Sequence, residues 1–315
     1  MIKRLLGRSG LSVPPLIFGG NVFDWTIDET MSFRLLDALV EAGFNAIDTA
    51  DMYSAWVPGH QGGESETVIG RWLKLRGGRD KIVIATKVGK LMGSGDKGLS
   101  RNWIRRAVDA SLKRLQTDYI DLYYAHEDDQ SVPLEDSLGT FAELIRQGKV
   151  RAIGASNYSA ARLKQALDTS TRLGLPRYEC LQPLYNLVDR QVFEAELEPL
   201  CRAEGLGVAP YYALAAGFLT GKYRKMADLT DRARGARVRE YLNDRGFRVL
   251  AALDAAASRH QATPAQIALS WLLAKPTVTA PIASATNLDQ LQDILKASRL
   301  TLDLETLAEL DQASA

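Results

Sequence analysis

Cysteine and histidine are scarce in these 315 residues, with two of the first and three of the second. Neither Cys180 nor Cys201 belongs to a CxxC pair, which argues against a disulfide framework and a cysteine zinc site. His60, His126 and His260 stand too far apart for a sequence-local ligand motif, so no metal is expected. A surplus of charge is missing as well. Thirty-nine Lys and Arg meet 38 Asp and Glu, a net +1, which leaves no electrostatic footprint for nucleic acid or an anionic membrane. No stretch approaches the ~20 apolar residues of a spanning helix. The N-terminal stretch Met1–Gly20 is basic, but Pro14-Pro15 breaks its apolar run, so it reads as neither signal peptide nor anchor. The expectation is a cytoplasmic protein with no nucleic-acid or membrane partner.

What is present is ordinary globular composition, 46% hydrophobic and 24% charged, which argues against disorder. Length alone suggests two domains of about 150 residues, yet α/β barrels reach this size as one. No linker or internal repeat divides the chain, and residues 1–315 are read as one domain. Short apolar runs recur at Pro15–Phe18, Phe44–Ile47, Ile82–Thr86, Tyr119–Tyr124, Val150–Gly154, Tyr178–Gln182, Gly207–Tyr211 and Val278–Ala283. Each suits a parallel strand buried on both faces. Helical spacing lies between them, as in Phe33, Leu36, Val40 and Phe44, or Ile104, Val108, Leu112 and Leu115. Ser100 and Ser159 are placed to cap helices, and Thr263-Pro264 to begin one. Strands alternating with helices, joined by right-handed crossovers, make a closed barrel or an open doubly wound sheet. Lys3–Leu6 and Leu11–Val13, around Gly7–Gly10, suit a small hairpin able to plug a barrel floor.

Two motifs are decoys. Gly93-Ser94-Gly95-Asp96-Lys97-Gly98 matches G-x-G-x-x-G, but its strand ends near Lys87 and its helix starts after Ser100, beyond all three glycines. It reads as a loop. His126-Glu127-Asp128-Asp129 suggests metal, but consecutive residues converge poorly on one ion.

The informative residues are polar groups at strand ends. Asp48 ends Phe44–Ile47, with Tyr53 five residues on; Lys87 ends Ile82–Thr86; His126 ends Tyr119–Ala125. In a barrel these ends lie side by side on one face. A free tyrosine, with a pKa of about 10, is a poor acid at neutral pH, and a neighbouring ammonium is expected to lower that value. Asp48 would hold Lys87 by a charge-assisted bond, and His126 would orient a carbonyl. Singly, each residue also reads as a cap, a rim charge or a satisfied core group.

These blocks, Asp48–Tyr53, Ala85–Lys87 and Tyr124–His126, resemble the catalytic segments of the aldo-keto reductase superfamily. Gly148–Gly154, Ala155–Asn157, Leu181–Asn186, Leu219–Tyr223 and Pro281–Thr286 are similar to its other signatures, in the right order. The resemblance implies a (β/α)8 TIM barrel with an N-terminal β-hairpin and a nicotinamide cofactor bound extended. The activity it implies is NAD(P)(H)-dependent carbonyl reduction, or alcohol oxidation in reverse, on a small molecule. Tyr53 becomes the general acid, Lys87 and Asp48 its tuning pair, and His126 the group that orients the carbonyl. Ser156, Asn157 and Gln182 would hold the nicotinamide carboxamide, and Tyr211 would stack on the ring. Leu214, Ala216, Gly217, Leu219 and Lys222 would line the pyrophosphate. Ser284, Thr286 and Gln290 would grip the adenosine end. Trp25, Trp56 and Tyr212 are candidate walls of the substrate pocket. The insertion Trp56–Gly63, which contains His60, is the expected specificity element.

Two departures stand out. Tyr211-Tyr212-Ala213-Leu214 replaces the family's Tyr-Ser-Pro-Leu, and Gln290 stands where an arginine often meets the 2′-phosphate. NADPH is expected ahead of NADH on family grounds. A basic stretch, Lys222, Arg224, Lys225, Arg232, Arg234, Arg237 and Arg239, would supply phosphate contacts or be a solvated insertion. Potassium-channel β-subunits share the resemblance, so a redox-sensing regulatory subunit is the alternative. Substrate, physiological direction and oligomeric state stay open.

Overall fold

The structure, a computed structural model, describes residues 2–315. A hairpin of β1 (Arg4–Leu5) and β2 (Ser12–Val13) precedes the barrel. The barrel strands are β3 (Ile17–Gly19), β4 (Ala46–Asp48), β5 (Val83–Val88), β6 (Ile120–Ala125), β7 (Val150–Ser156), β8 (Tyr178–Gln182), β9 (Gly207–Val208) and β10 (Ile282–Ala283). All pair in parallel in the order β10-β3-β4-β5-β6-β7-β8-β9. Closure across the seam comes from Thr279 N–H donating to Val208 O at 2.8 Å and Ile282 N–H to Pro210 O at 2.9 Å. Each apolar run expected to be a strand is one, so the fold is the (β/α)8 barrel. The seam strands are shorter than their apolar runs. Pro210 and Pro281 bring no N–H to the ladder, and regular pairing gives way to single bonds.

Helices α1 (Glu29–Glu41), α2 (Glu64–Arg76), α3 (Arg101–Leu115), α4 (Leu134–Arg146), α5 (Ala160–Leu173) and α6 (Glu198–Glu204) follow successive strands. The β9–β10 connection carries three, α7 (Gly235–Arg239), α8 (Asp244–Arg259) and α9 (Pro264–Ala274). After β10 come α10 (Leu288–Lys296) and α11 (Leu304–Ser314). The caps are as expected: Ser100 accepts from Trp103 N–H, Ser159 from Arg162 N–H and Thr263 from Gln266 N–H, with Pro264 in the first turn. α1 turns Ser32, Leu35, Leu36 and Leu39 fully inward, leaving Phe33 and Val40 at the edge of the buried stripe. No described helix is long and apolar enough to cross a membrane.

The apolar core has two parts. A large shell lies between strands and helices, and a small column fills the barrel. Leu6, Leu11 and Val13 of the hairpin close the floor of that column beneath Ile17, Ala46, Ala85, Leu122 and Ala152. Arg4 fastens the hairpin to the seam by donating to Val278 O at 3.2 Å. Gly154 leaves room for the Tyr124 ring, since a Cβ there would meet that ring at 2.5 Å.

Side chains on a strand alternate faces, so inward positions recur every second residue. Counting upward from the apolar column leads from Ala46 to Asp48, Ala85 to Lys87, Tyr124 to His126, Ala152 through Gly154 to Ser156, Cys180 to Gln182, Ala209 to Tyr211 and Ile282 to Ser284. The column is apolar below and turns polar at its C-terminal rim, where barrel sites are built.

Candidate active site

Lys87 is fully buried, and its ammonium has three acceptors: Asp48 Oδ2 at 2.6 Å, the Thr49 carbonyl at 2.6 Å and Tyr53 Oη at 2.9 Å. An ammonium has three N–H groups, so it is saturated. Asp48 Oδ1 accepts from Gln182 Nε2 at 2.8 Å. Register places these groups together: Asp48 pairs with Ala85 across β4–β5, and Lys87 with Tyr124 across β5–β6, one strand from His126. The Tyr53 and His126 rings are 6.1 Å apart, edge to face. The strand-end residues Asp48, Lys87 and His126 gather around Tyr53, which comes from the loop after β4.

Burial pulls the Lys87 ammonium down and pushes the Asp48 carboxyl up, while each charge opposes the shift of the other. The Tyr53 phenol differs from expectation. Burial first, and then the Asp48 carboxylate, hold it well above the usual tyrosine range. Desolvation outweighs the ammonium because Asp48 already offsets the Lys87 charge. The phenol therefore keeps its proton. Burial, followed by the Lys87 and Lys90 charges, drives His126 well below the ordinary imidazole value, so the ring is neutral.

Beyond the tetrad, Asn157 Nδ2 donates to the His126 carbonyl at 2.8 Å and to Ser156 Oγ at 3.1 Å. Asn157 Oδ1 accepts from Tyr211 Oη at 2.8 Å, and Ser156 Oγ donates to the Gln182 carbonyl at 2.9 Å. Ser156, Asn157, Gln182 and Tyr211 thus form one network on the β7–β9 side. Ser284 Oγ donates to Asn21 Oδ1 at 2.7 Å. Gln290 is folded back, its Oε1 accepting from Thr286 N–H and Oγ1, both at 3.0 Å. Trp25 and Trp56 meet edge to face at 5.2 Å, and Trp56 meets Tyr53 at 5.9 Å. Tyr212 packs on Tyr211 at 5.4 Å. Val57 to Gly63 turns back so that the Gln61 carbonyl accepts from Gly93 N–H, joining this insertion to the β5–α3 loop.

The decoys separate as expected. Gly93–Gly98 lies wholly in the loop between β5 and α3. Asp128 is paired with Arg162 at 2.9 Å, and Asp129 accepts from Leu99 N–H at 2.8 Å, so neither turns toward His126. Of the basic stretch, Arg224 pairs with Asp254 and Arg237 with Glu240. Arg234 instead lies over the Trp25 ring at 5.2 Å. Sequence reasoning named Arg234 only as one of the basic stretch, and it did not single out Lys90, Asn21 or the Thr49 carbonyl. Asn21 follows the Gly19-Gly20 end of β3, a signal that was present; the path of Arg234 left none.

Fold and site define a (β/α)8 enzyme with acid–base groups gathered at its C-terminal rim. The family model described as the aldo/keto reductase family matches residues 15–315. The chain is 36% identical to the uncharacterized oxidoreductase YrpG of Bacillus subtilis, over 97% of this chain and 94% of that protein. It is 34% identical to Protein tas of Escherichia coli, covering 96% and 95% of the two chains. It is also 34% identical to a protein of Arabidopsis thaliana described as a probable voltage-gated potassium channel subunit beta, covering 93% and 89%. The chain belongs to the aldo/keto reductase family and is an NAD(P)H-dependent oxidoreductase.

The residues present fit such a dinucleotide. Ala215, Ala216 and Gly217 are consecutive left-handed residues, with φ of 47°, 57° and 97°. A Cβ on Gly217 would meet Lys222 Cε at 3.4 Å and Nζ at 3.5 Å, so the bare backbone and an ammonium share one hollow. Lys222 enters none of the loop's ion pairs, and its ammonium lies 5.1 Å from the centre of the Tyr223 ring. Backbone without a side chain beside an uncommitted cation is a cradle suited to phosphate oxygens.

Proposed function

We propose that the enzyme reduces an aldehyde or ketone to an alcohol, or runs the reverse, with Tyr53 as general acid. The observation that carries this reading is the 2.9 Å approach of a buried, saturated Lys87 ammonium to the Tyr53 oxygen. Because Lys87 donates to that oxygen, the phenolic hydrogen is left for an incoming carbonyl. The neutral His126 ring, its centre 6.1 Å from that of Tyr53, would offer an N–H to the substrate's carbonyl oxygen. When bound, the nicotinamide supplies the hydride that adds to the carbonyl carbon. Tyr53 then delivers its proton to the oxygen, and Lys87 already stands beside the phenolate this leaves. Preorganised donors at the point where alkoxide charge grows are usually the largest single source of rate.

Ser156, Asn157 and Gln182 would hold the carboxamide and Tyr211 the ring face. Leu214, Ala216, Gly217, Leu219 and Lys222 would line the pyrophosphate, with Ser284, Thr286 and Gln290 at the adenosine end. NADPH is the proposed cofactor, with Trp25, Trp56 and Tyr212 as pocket walls.

The test is turnover of a panel of aldehydes and ketones with NADPH and NADH, followed by loss of the reduced nicotinamide absorbance. Reduction of panel members is expected. Tight dinucleotide binding without turnover would favour instead a redox-sensing subunit, the reading that the similarity to the channel-subunit relative supports.

A further inference from the structure

Arg234 immediately precedes α7. Its Nη2 is buried and has no hydrogen-bond partner. It enters no ion pair among the described residues, whereas Arg224 and Arg237 are paired with Asp254 and Glu240. A guanidinium N–H taken from water without an acceptor carries a desolvation cost that an incoming acceptor would relieve. The group lies 5.2 Å from the centre of the Trp25 ring, which packs on Trp56, which packs on Tyr53. Its charge acts on the Tyr53 phenol.

We propose that Arg234 recognises an oxyanion on the substrate, a carboxylate or phosphate monoester remote from the reacting carbonyl. This rests on the carbonyl-reduction reading above. A planar fork of donors matches either oxyanion in bidentate fashion, and the Trp25 face holds the fork in orientation. The phosphates of the dinucleotide are the other source of the same chemistry, and the experiment separates the two.

The test uses aldehydes that share one reacting group: 4-carboxybenzaldehyde, 4-formylphenyl phosphate and the neutral methyl ester of the first. Wild type is compared with Arg234→Gln, and NADPH affinity is read by quenching of tryptophan fluorescence. Wild type is expected to favour one or both charged aldehydes by about 10- to 100-fold in kcat/KM, the range of a hydrogen bond to a charged group. Arg234→Gln should erase that preference through KM and leave NADPH affinity unchanged; any effect through the Tyr53 phenol falls equally on all three aldehydes, so the preference ratio is the readout. Arg234→Lys should keep part of it. Reduction of the ester by wild type with no preference for either oxyanion overturns the proposal and leaves carbonyl reduction standing. Equal loss on all three aldehydes together with weakened NADPH assigns Arg234 to the dinucleotide and also overturns it. If no aldehyde is reduced, carbonyl reduction fails separately. Titration of the NADPH complex then decides: tighter binding of a charged aldehyde that Arg234→Gln abolishes supports the proposal, and equal binding of all three overturns it.

Discussion

Gln182 Nε2 stands 2.8 Å from Asp48 Oδ1, joining β8 to β4 across 134 residues of sequence. The same carboxylate holds Lys87 through its other oxygen, so Gln182 braces the ion pair against rotation. Gln182→Leu leaves Asp48 with one fewer donor in a buried site, at a cost of about 1.5–3 kcal/mol for a hydrogen bond to a charged group. The expected outcome is a lower unfolding midpoint and a kcat reduced by about tenfold or more as Lys87 loses its fixed position. Denaturant titration beside steady-state kinetics checks both.

His126 gives a pH dependence with a definite sign. Burial and the Lys87 and Lys90 charges hold its folded pKa well below that of a free imidazole, about 6.5. Below that pH the unfolded chain takes up a proton that the folded protein refuses. The His126 contribution is thus intact above about pH 6.5 and is lost as pH falls toward the folded value, by up to about 1.4 kcal/mol per pH unit. Urea midpoints at about pH 7.5 and about pH 5.5 should separate more in wild type than in His126→Gln, because the variant lacks this group. Equal separation would contradict the buried neutral ring.

Gly217 combines a φ of +97° with the hollow beside Lys222. Gly217→Val adds both left-handed strain, about 1–2 kcal/mol, and a side chain where phosphate oxygens are proposed to lie. The expected result is NADPH affinity weakened at least about tenfold, while the fold, read by circular dichroism, is retained. Lys222→Ala should weaken NADPH and NADH alike, since the pyrophosphate is common to both.

Cofactor choice is proposed to turn on Gln290. Its Oε1 is tied to Thr286 and it carries no charge. Gln290→Arg supplies the charge-assisted partner that a 2′-phosphate wants, and should shift preference toward NADPH by about 1.5–3 kcal/mol. Competition binding of NADPH against NADH in the two proteins measures the shift. In the basic stretch Arg224 and Arg237 are committed to Asp254 and Glu240. Neutralising Arg237 is therefore expected to cost loop order rather than NADPH selectivity.

The legible part of this protein is the part governed by local pattern. Strands buried on both faces read as unbroken apolar runs, and caps such as Ser100 and Thr263 act within four residues, so both were visible. The residues ending those runs were visible for the same reason: Asp48, Lys87 and His126 interrupt apolar segments. Three features were hidden because they are tertiary. The bond from Gln182 to Asp48 depends on barrel closure. The upward shift of Tyr53 depends on burial, which outweighs the lysine that the pattern made conspicuous. Arg234 reaches Trp25 through an irregular loop whose path no periodicity specifies.

The central claim is that Tyr53 delivers the proton while Lys87 and Asp48 hold it ready. Single-turnover carbonyl reduction by Tyr53→Phe, with NADPH affinity measured on the same protein, tests it most directly. The account predicts a chemical step slower by about 10²–10⁴-fold with cofactor binding unchanged. Reduction by the Phe variant at the wild-type rate would contradict it.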